Sequence, residues 1–147
     1  MKLINKFALI IFIILNYFNM ASAADNLLEK AKKKFEKKDY EKSKFLFQRN
    51  IVFNPKNAES YLYLAKIFNT EENQEEEEKN LDTTLLLETN NEEAIYMLIQ
   101  INLDKSNFSK ANELLAKLDI VCKDFCSKKK EIEKSLQNLE AKNEKKQ

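Results

Sequence analysis

The side chains able to do chemistry in this 147-residue chain are carboxylates, amines and two thiols, because it contains no His, no Gly and no Trp. Without His there is no Ser-His-Asp or Cys-His nucleophile system and no imidazole metal ligand. Without Gly there is no phosphate-cradling P-loop and no GxGxxG dinucleotide turn. Six carboxylates crowd together at Glu71, Glu72, Glu75, Glu76, Glu77 and Glu78. Consecutive helical residues point about 100° apart, so such a run does not converge on one ion. Negative charge is also favoured at a helix start, and the run reads as a solvated face. A paired-carboxylate hydrolase needs desolvation to raise one of its two pKa values, and nothing in the sequence supplies it. No catalysis, metal, cofactor or small-molecule substrate is expected.

The thiols are Cys122 and Cys126. In an oxidising compartment an even pair is usually bridged. A bridge here closes a loop of about 5 residues, worth roughly 2 kcal/mol on the loop-entropy estimate. Two residues at i and i+4 of a straight helix sit near the upper Cα separation for a disulfide, so a turn between them matters. Two free buried thiols are the alternative reading.

Charge is balanced, with 25 Lys+Arg against 24 Asp+Glu, but every basic residue except Arg49 is Lys. Nucleic-acid readers favour Arg for bidentate contacts, and here Lys is interleaved with Glu, so no nucleic-acid partner is expected. The abundance of Lys and Asn reads as genome base composition.

The elements that position these groups begin after an N-terminal address. Lys2 and Lys6 precede the apolar run Phe7 to Leu15, and Ala21-Ser22-Ala23 follows. A basic region, an apolar core and an A-x-A site in that order predict a secretory signal peptide over 1–23, cut between Ala23 and Ala24. The apolar stretch, about 12 residues even when extended to Phe18, falls short of the roughly 20 that span a bilayer. Removing 23 residues leaves 124 with a net charge of −1, since Lys2 and Lys6 leave with the address. The chain is then expected in the periplasm or cell envelope, with membrane contact only if the segment is retained as an anchor.

The rest repeats itself every 34 residues. Segments 24–57, 58–91 and 92–125 carry Leu27, Tyr61 and Ile95 at their fourth position. Ala31, Ala65 and Ile99 stand at the eighth, and Phe47, Leu81 and Leu115 at the twenty-fourth. Tyr61, Leu64, Ala65 and Phe68 follow i, i+3, i+4, i+7, the spacing of an amphipathic helix. Polar breaks at Lys37-Lys38-Asp39, Glu71-Glu72-Asn73 and Lys105-Ser106-Asn107 predict two helices per segment. In a chain without Gly, tight hairpins that need positive φ must rely on Asn or Asp, which argues against a sheet. Phe125, Ile132, Leu136 and Leu139 then share one face of a capping helix over 126–141, and the tail from Ala141 is expected to fray.

This pattern resembles the tetratricopeptide repeat, a helix–turn–helix unit of 34 residues. Asp39-Tyr40 stands at the family's turn, Phe47 at its second-helix aromatic and Pro55 at its closing proline. Departures are Ser43, Glu77 and Ala111 at the usually small twentieth position, and Ile99 where a small residue is usual. The resemblance implies an all-α, right-handed superhelical solenoid of three such units with a capping helix. It also implies a concave groove for a protein or peptide segment. Carried over by position, the groove consists of Leu28, Leu62 and Tyr96, then Lys32, Lys66 and Gln100, then Phe35, Asn69 and Leu103. An acidic row, Asp25, Glu59 and Glu93, flanks it, and Glu36, Thr70 and Asp104 contribute little. The expected role is an exported adaptor that holds a partner segment within an envelope assembly. A periplasmic holding chaperone and a membrane-tethered spacer are the rivals.

Overall fold

Helices in this chain start and stop at intervals of 34 residues, and the polypeptide achieves this without a glycine. The computed structural model describes residues 26–144, with side chains as far as Leu139. The expected signal segment, its cleavage site at Ala23 and Ala24, and Asp25 lie outside the described residues. A first helix, α1, covers 26–36. It is followed by α2 (Tyr40–Phe53), α3 (Ala58–Thr70), α4 (Gln74–Leu87), α5 (Glu92–Asp104), α6 (Phe108–Val121), a 3-10 turn (Cys126–Lys128) and α7 (Lys129–Glu144). The described residues contain no strand, and the all-α solenoid expected from the repeats is the observed fold class.

Local chemistry explains the register. Within each helix pair the turn passes through one residue in the left-handed region: Lys38 at φ 57°, Glu72 at 56° and Ser106 at 55°. None of the three is Gly, Asn or Asp, the residues that tolerate this region at least cost. The backbone compensates by closing the helix end, with Asp39 N–H donating to the Lys34 carbonyl (3.0 Å), Asn73 to Phe68 (2.9 Å) and Asn107 to Asn102 (2.8 Å). Such bonds take up carbonyls that the helix end would otherwise leave unpaired.

The next helix is then capped by Asn. Asn73 Oδ1 accepts from the Glu76 N–H and Asn107 Oδ1 from the Lys110 N–H. Asn57 and Asn91 do the same for Ser60 and Ala94. Part of the Asn richness therefore has a structural use, as the acceptor preferred at helix starts. The Asn73 cap starts α4 at Gln74, so along the sequence it keeps the same spacing from the start of α2 at Tyr40 as α6 at Phe108 keeps from it, despite Glu77.

The chain divides into two compact units, one ending at Leu64 and the other beginning at Ala65. In the first, the Ser43 hydroxyl on α2 donates to the Ala31 carbonyl of α1 at 2.9 Å. Asn50 Nδ2 donates to Ser60 Oγ at 2.9 Å, and Ser60 Oγ donates in turn to Asn57 Oδ1 at 2.6 Å. Fully buried Phe47 stacks on Tyr63 (ring centroids 4.9 Å), which meets Phe35 edge-on at 5.0 Å.

In the second unit α4 packs on α5, α5 on α6 and α6 on α7. Ile67, Leu81, Ile95, Ile99, Leu118 and Ile132 are fully enclosed. The capping helix buries Ile132 and Leu136, while Leu139 stays more than a third exposed. It extends to Glu144, beyond the expected span 126–141.

An L-residue in the left-handed region costs about 1–2 kcal/mol, of which part is returned by its lower freedom in the unfolded chain. Lys38→Gly and Ser106→Gly are each expected to stabilise by about 0.5–1 kcal/mol. Thermal melts of the single variants check this, and an unchanged or lower Tm would contradict the turn analysis.

Candidate functional site

The first helices carry the charges expected to line a groove, and the structure spends most of them on each other. In the first unit Lys32 Nζ lies 2.8 Å from Glu59 and 3.3 Å from Glu29. The hydrogen bond that Lys32 donates to Glu59 raises the Lys32 pKa, outweighing desolvation, so the amine stays charged. In the second unit Lys66 repeats the arrangement, 2.7 Å from Glu93. The expected basic and acidic rows thus pair with one another across successive first helices.

Burial sorts the expected apolar residues. Leu62 (7 % exposed) and Leu103 (5 %) are packed into the fold. Leu28 is half-buried, and half-buried Phe35 is engaged by Tyr40 and Tyr63. Hence Leu62, Leu103, Lys32, Lys66 and Phe35 serve the architecture, whereas Leu28 keeps accessible surface.

Three expected site residues do come together. Asn69, Tyr96 and Gln100 line a pocket of about 220 Å³ in the second unit, with Gln74, Glu77, Met97, Ile101 and Asp104. Its floor contains the residue that seemed out of place in the repeat. Glu77 is only 4 % exposed, and its Oε1 accepts from Asn69 Nδ2 at 3.1 Å. Burial pushes the Glu77 carboxyl up, Asn69 opposes that, and the negative charge of Asp104 reinforces it. The signal for this site was present in the sequence as an acid at a position where the family has a small residue. Asp104, set aside as adding little, lies on the same wall.

The rest of the acidic run disperses, as side-chain geometry on a helix requires. Glu76 pairs with Lys79 at 3.0 Å and Glu78 with Lys105, while Glu77 turns to Asn69. Among the described residues no group of three or more His, Cys, Asp or Glu is placed to hold a metal ion. Likewise, no described helix is long and apolar enough to cross a membrane.

The junction between α6 and α7 is built around a carboxylate. Glu92, in the first turn of α5, accepts through Oε2 from the backbone N–H of Lys123 (2.7 Å), Asp124 (3.0 Å) and Phe125 (3.0 Å). The same turn is closed by a disulfide between Cys122 and Cys126, with Cα atoms 5.3 Å apart. Cys122 ends α6 in extended conformation and Cys126 opens the 3-10 turn, which supplies the bend that a straight helix lacks. Phe125 then lies 5.4 Å from Tyr96, centroid to centroid, at the edge of the pocket-lining helix.

Val52, Leu86 and Ile120, 34 residues apart on the three second helices, are 77, 81 and 85 % exposed.

The helix pairs, their 34-residue register and the small or apolar residues at fixed buried offsets define a tetratricopeptide-repeat fold. Comparison with solved structures agrees. The chain is similar to the Yersinia enterocolitica type III secretion chaperone SycD in complex with a peptide of the translocator YopD. That match has a TM-score of 0.70 at 13 % identity and covers 83 % of this chain and 95 % of SycD. It is similar also to the second repeat domain of Spaghetti (RPAP3) bound to the HSP90 peptide SRMEEVD, with a TM-score of 0.62 at 17 % identity, covering 67 % and 92 %. The repeat domain of Arabidopsis OM64 matches with a TM-score of 0.67 at 16 % identity, covering 80 % and 94 %. No protein-family profile and no curated sequence matches the chain.

Three backbone donors hold the Glu92 carboxyl below its ordinary value, the Lys123 N–H most strongly. A depressed folded-state pKa adds stability that is complete above the unfolded value of 4.5 and is lost as pH falls through the folded value. Glu92→Gln is therefore expected to melt below the native protein at pH 7, with the gap narrowing below about pH 4.5. Tm against pH for both proteins checks it; a gap independent of pH would reject the charge-based anchor.

Proposed function

We propose that the protein binds a segment of a partner protein on its first-helix face, acting by recognition rather than catalysis. The observation that carries this reading is the convergence of Asn69, Tyr96 and Gln100 on one pocket. An aromatic ring beside amide groups offers apolar contact and directional hydrogen bonds together, the combination that peptide grooves use. The similarity to repeat domains solved with YopD and HSP90 peptides supports the same mode.

In the finer form of the proposal the chain is an exported adaptor. Its N-terminal basic, apolar and A-x-A order supports secretion, and the Cys122–Cys126 disulfide suits an oxidising compartment. The SycD similarity favours a second reading, a holding chaperone that shields its clients transiently.

Both forms are tested by in-cell crosslinking and capture. Tyr96→Ser with Gln100→Ser is expected to reduce partner capture at least tenfold while the protein still melts cooperatively. Leu62 and Leu103 are left intact because their removal would damage packing. One dominant partner lost in the variant supports the adaptor, and many apolar clients support the chaperone. Equal capture by the folded variant overturns the first-helix site. Export is tested separately by intact mass of the protein recovered from cells. A chain starting at Ala24 is expected, and a cytoplasmic chain starting at Met1 would overturn it.

A further inference from the structure

On the first-helix face most charges are already satisfied, and the pocket beside Tyr96 is the exception. Lys32 and Lys66 are neutralised by Glu59 and Glu93. In the pocket, Glu77 Oε1 accepts from Asn69 Nδ2, and no ion pair to the Glu77 carboxylate is formed among the described residues. That side chain is more than nine-tenths buried and forms part of the pocket wall. A largely buried carboxylate without a counter-charge is costly to keep ionised, so a cation that reaches it gains from pairing. Asp104 adds a second negative charge that acts on Glu77. No basic residue lines the pocket, so its two acids lack a counter-ion within it.

The remaining walls fit one kind of visitor. Met97 and Ile101 offer apolar contact, Tyr96 a ring, and Gln74 and Gln100 amides. A long aliphatic stem ending in a positive charge suits this combination. The stem packs on Met97 and Ile101, the cation meets the ring face and the two carboxylates, and amide oxygens accept its N–H groups. An anion is repelled by the same acids. A volume of about 220 Å³ is room for one such side chain, given that a water molecule occupies about 30 Å³.

We propose that this pocket receives a lysine or arginine side chain of the bound partner segment, with Glu77 and Asp104 as the residues that select for positive charge. The proposal rests on the peptide-binding reading above and specifies what the segment must carry. It also explains an acid at a position where the repeat otherwise holds Ser43 and Ala111.

The test uses N-acetyl-lysine methylamide and N-acetyl-arginine methylamide as probes, with N-acetyl-norleucine methylamide as the uncharged control. They are titrated into the intact isotope-labelled protein and followed through the side-chain amide signals of Asn69, Gln74 and Gln100. Saturable shifts with either basic probe and none with norleucine are expected; the stronger of the two identifies ammonium or guanidinium as the preferred head. Glu77→Gln with Asp104→Asn is expected to weaken the response at least tenfold. Asp104→Asn alone, at an exposed position, should weaken it about threefold and guards against a folding defect. Equal shifts from norleucine, or from calcium chloride at matched charge, overturn the proposal, as does an unaltered titration in the folded double variant. If Tyr96→Ser with Gln100→Ser loses the partner while the basic probes do not bind, this pocket assignment falls and the first-helix site stands. If the probes bind while capture is unaffected, the peptide-binding reading falls and with it the assignment of the pocket to a partner side chain.

Discussion

The structure depends on how a chain without glycine ends one helix and starts the next. Three turns pass through the left-handed region at Lys38, Glu72 and Ser106, and the residue after each stands at the start of the following helix, where Asn73 and Asn107 cap it with their side chains. The backbone bonds that close these turns, together with the side-chain caps of Asn73 and Asn107, fix where α4 and α6 begin. Everything downstream inherits that register. Slipping α4 by one residue would rotate it by about 100° and carry Glu77 off the wall it shares with Asn69.

Within that frame, repetition and its lapses divide the labour. Where Lys at the ninth position meets Glu at the second position of the next unit, the two lock successive first helices together, as Lys32–Glu59 and Lys66–Glu93 do. In the third unit Gln100 stands where the lysine would be, and the polar surface around it is left for something else. The pocket thus lies where the structural pairing stops. A similar economy operates at the C-terminal end. Glu92, placed at the start of α5, takes three backbone donors from the turn that leads into α7 and so ties the cap to the last repeat. Identities of 13–17 % to proteins of the same fold follow from this design. The fold asks for small or apolar residues at a few buried offsets and suitable turns, while surface positions are free to change.

What the sequence determined by itself was the periodic part: helices, a 34-residue unit, buried Ala31, Ala65, Phe47 and Leu81, a terminal cap and a cysteine pair at a bend. These are legible because helical spacing and turn chemistry are local, written in residues a few positions apart. The pairing of Lys32 with Glu59, the burial of Leu62 and Leu103, and the meeting of Glu77, Tyr96 and Asp104 were decided only by the tertiary structure. Each joins residues from different helices, and a side chain's partner there depends on packing distances that no local pattern records. A lysine in a predicted groove row looks available until the neighbouring helix brings a carboxylate to 2.8 Å. A glutamate at a small-residue position looks like a fault until the fold supplies Asn69 on one side and an open pocket on the other.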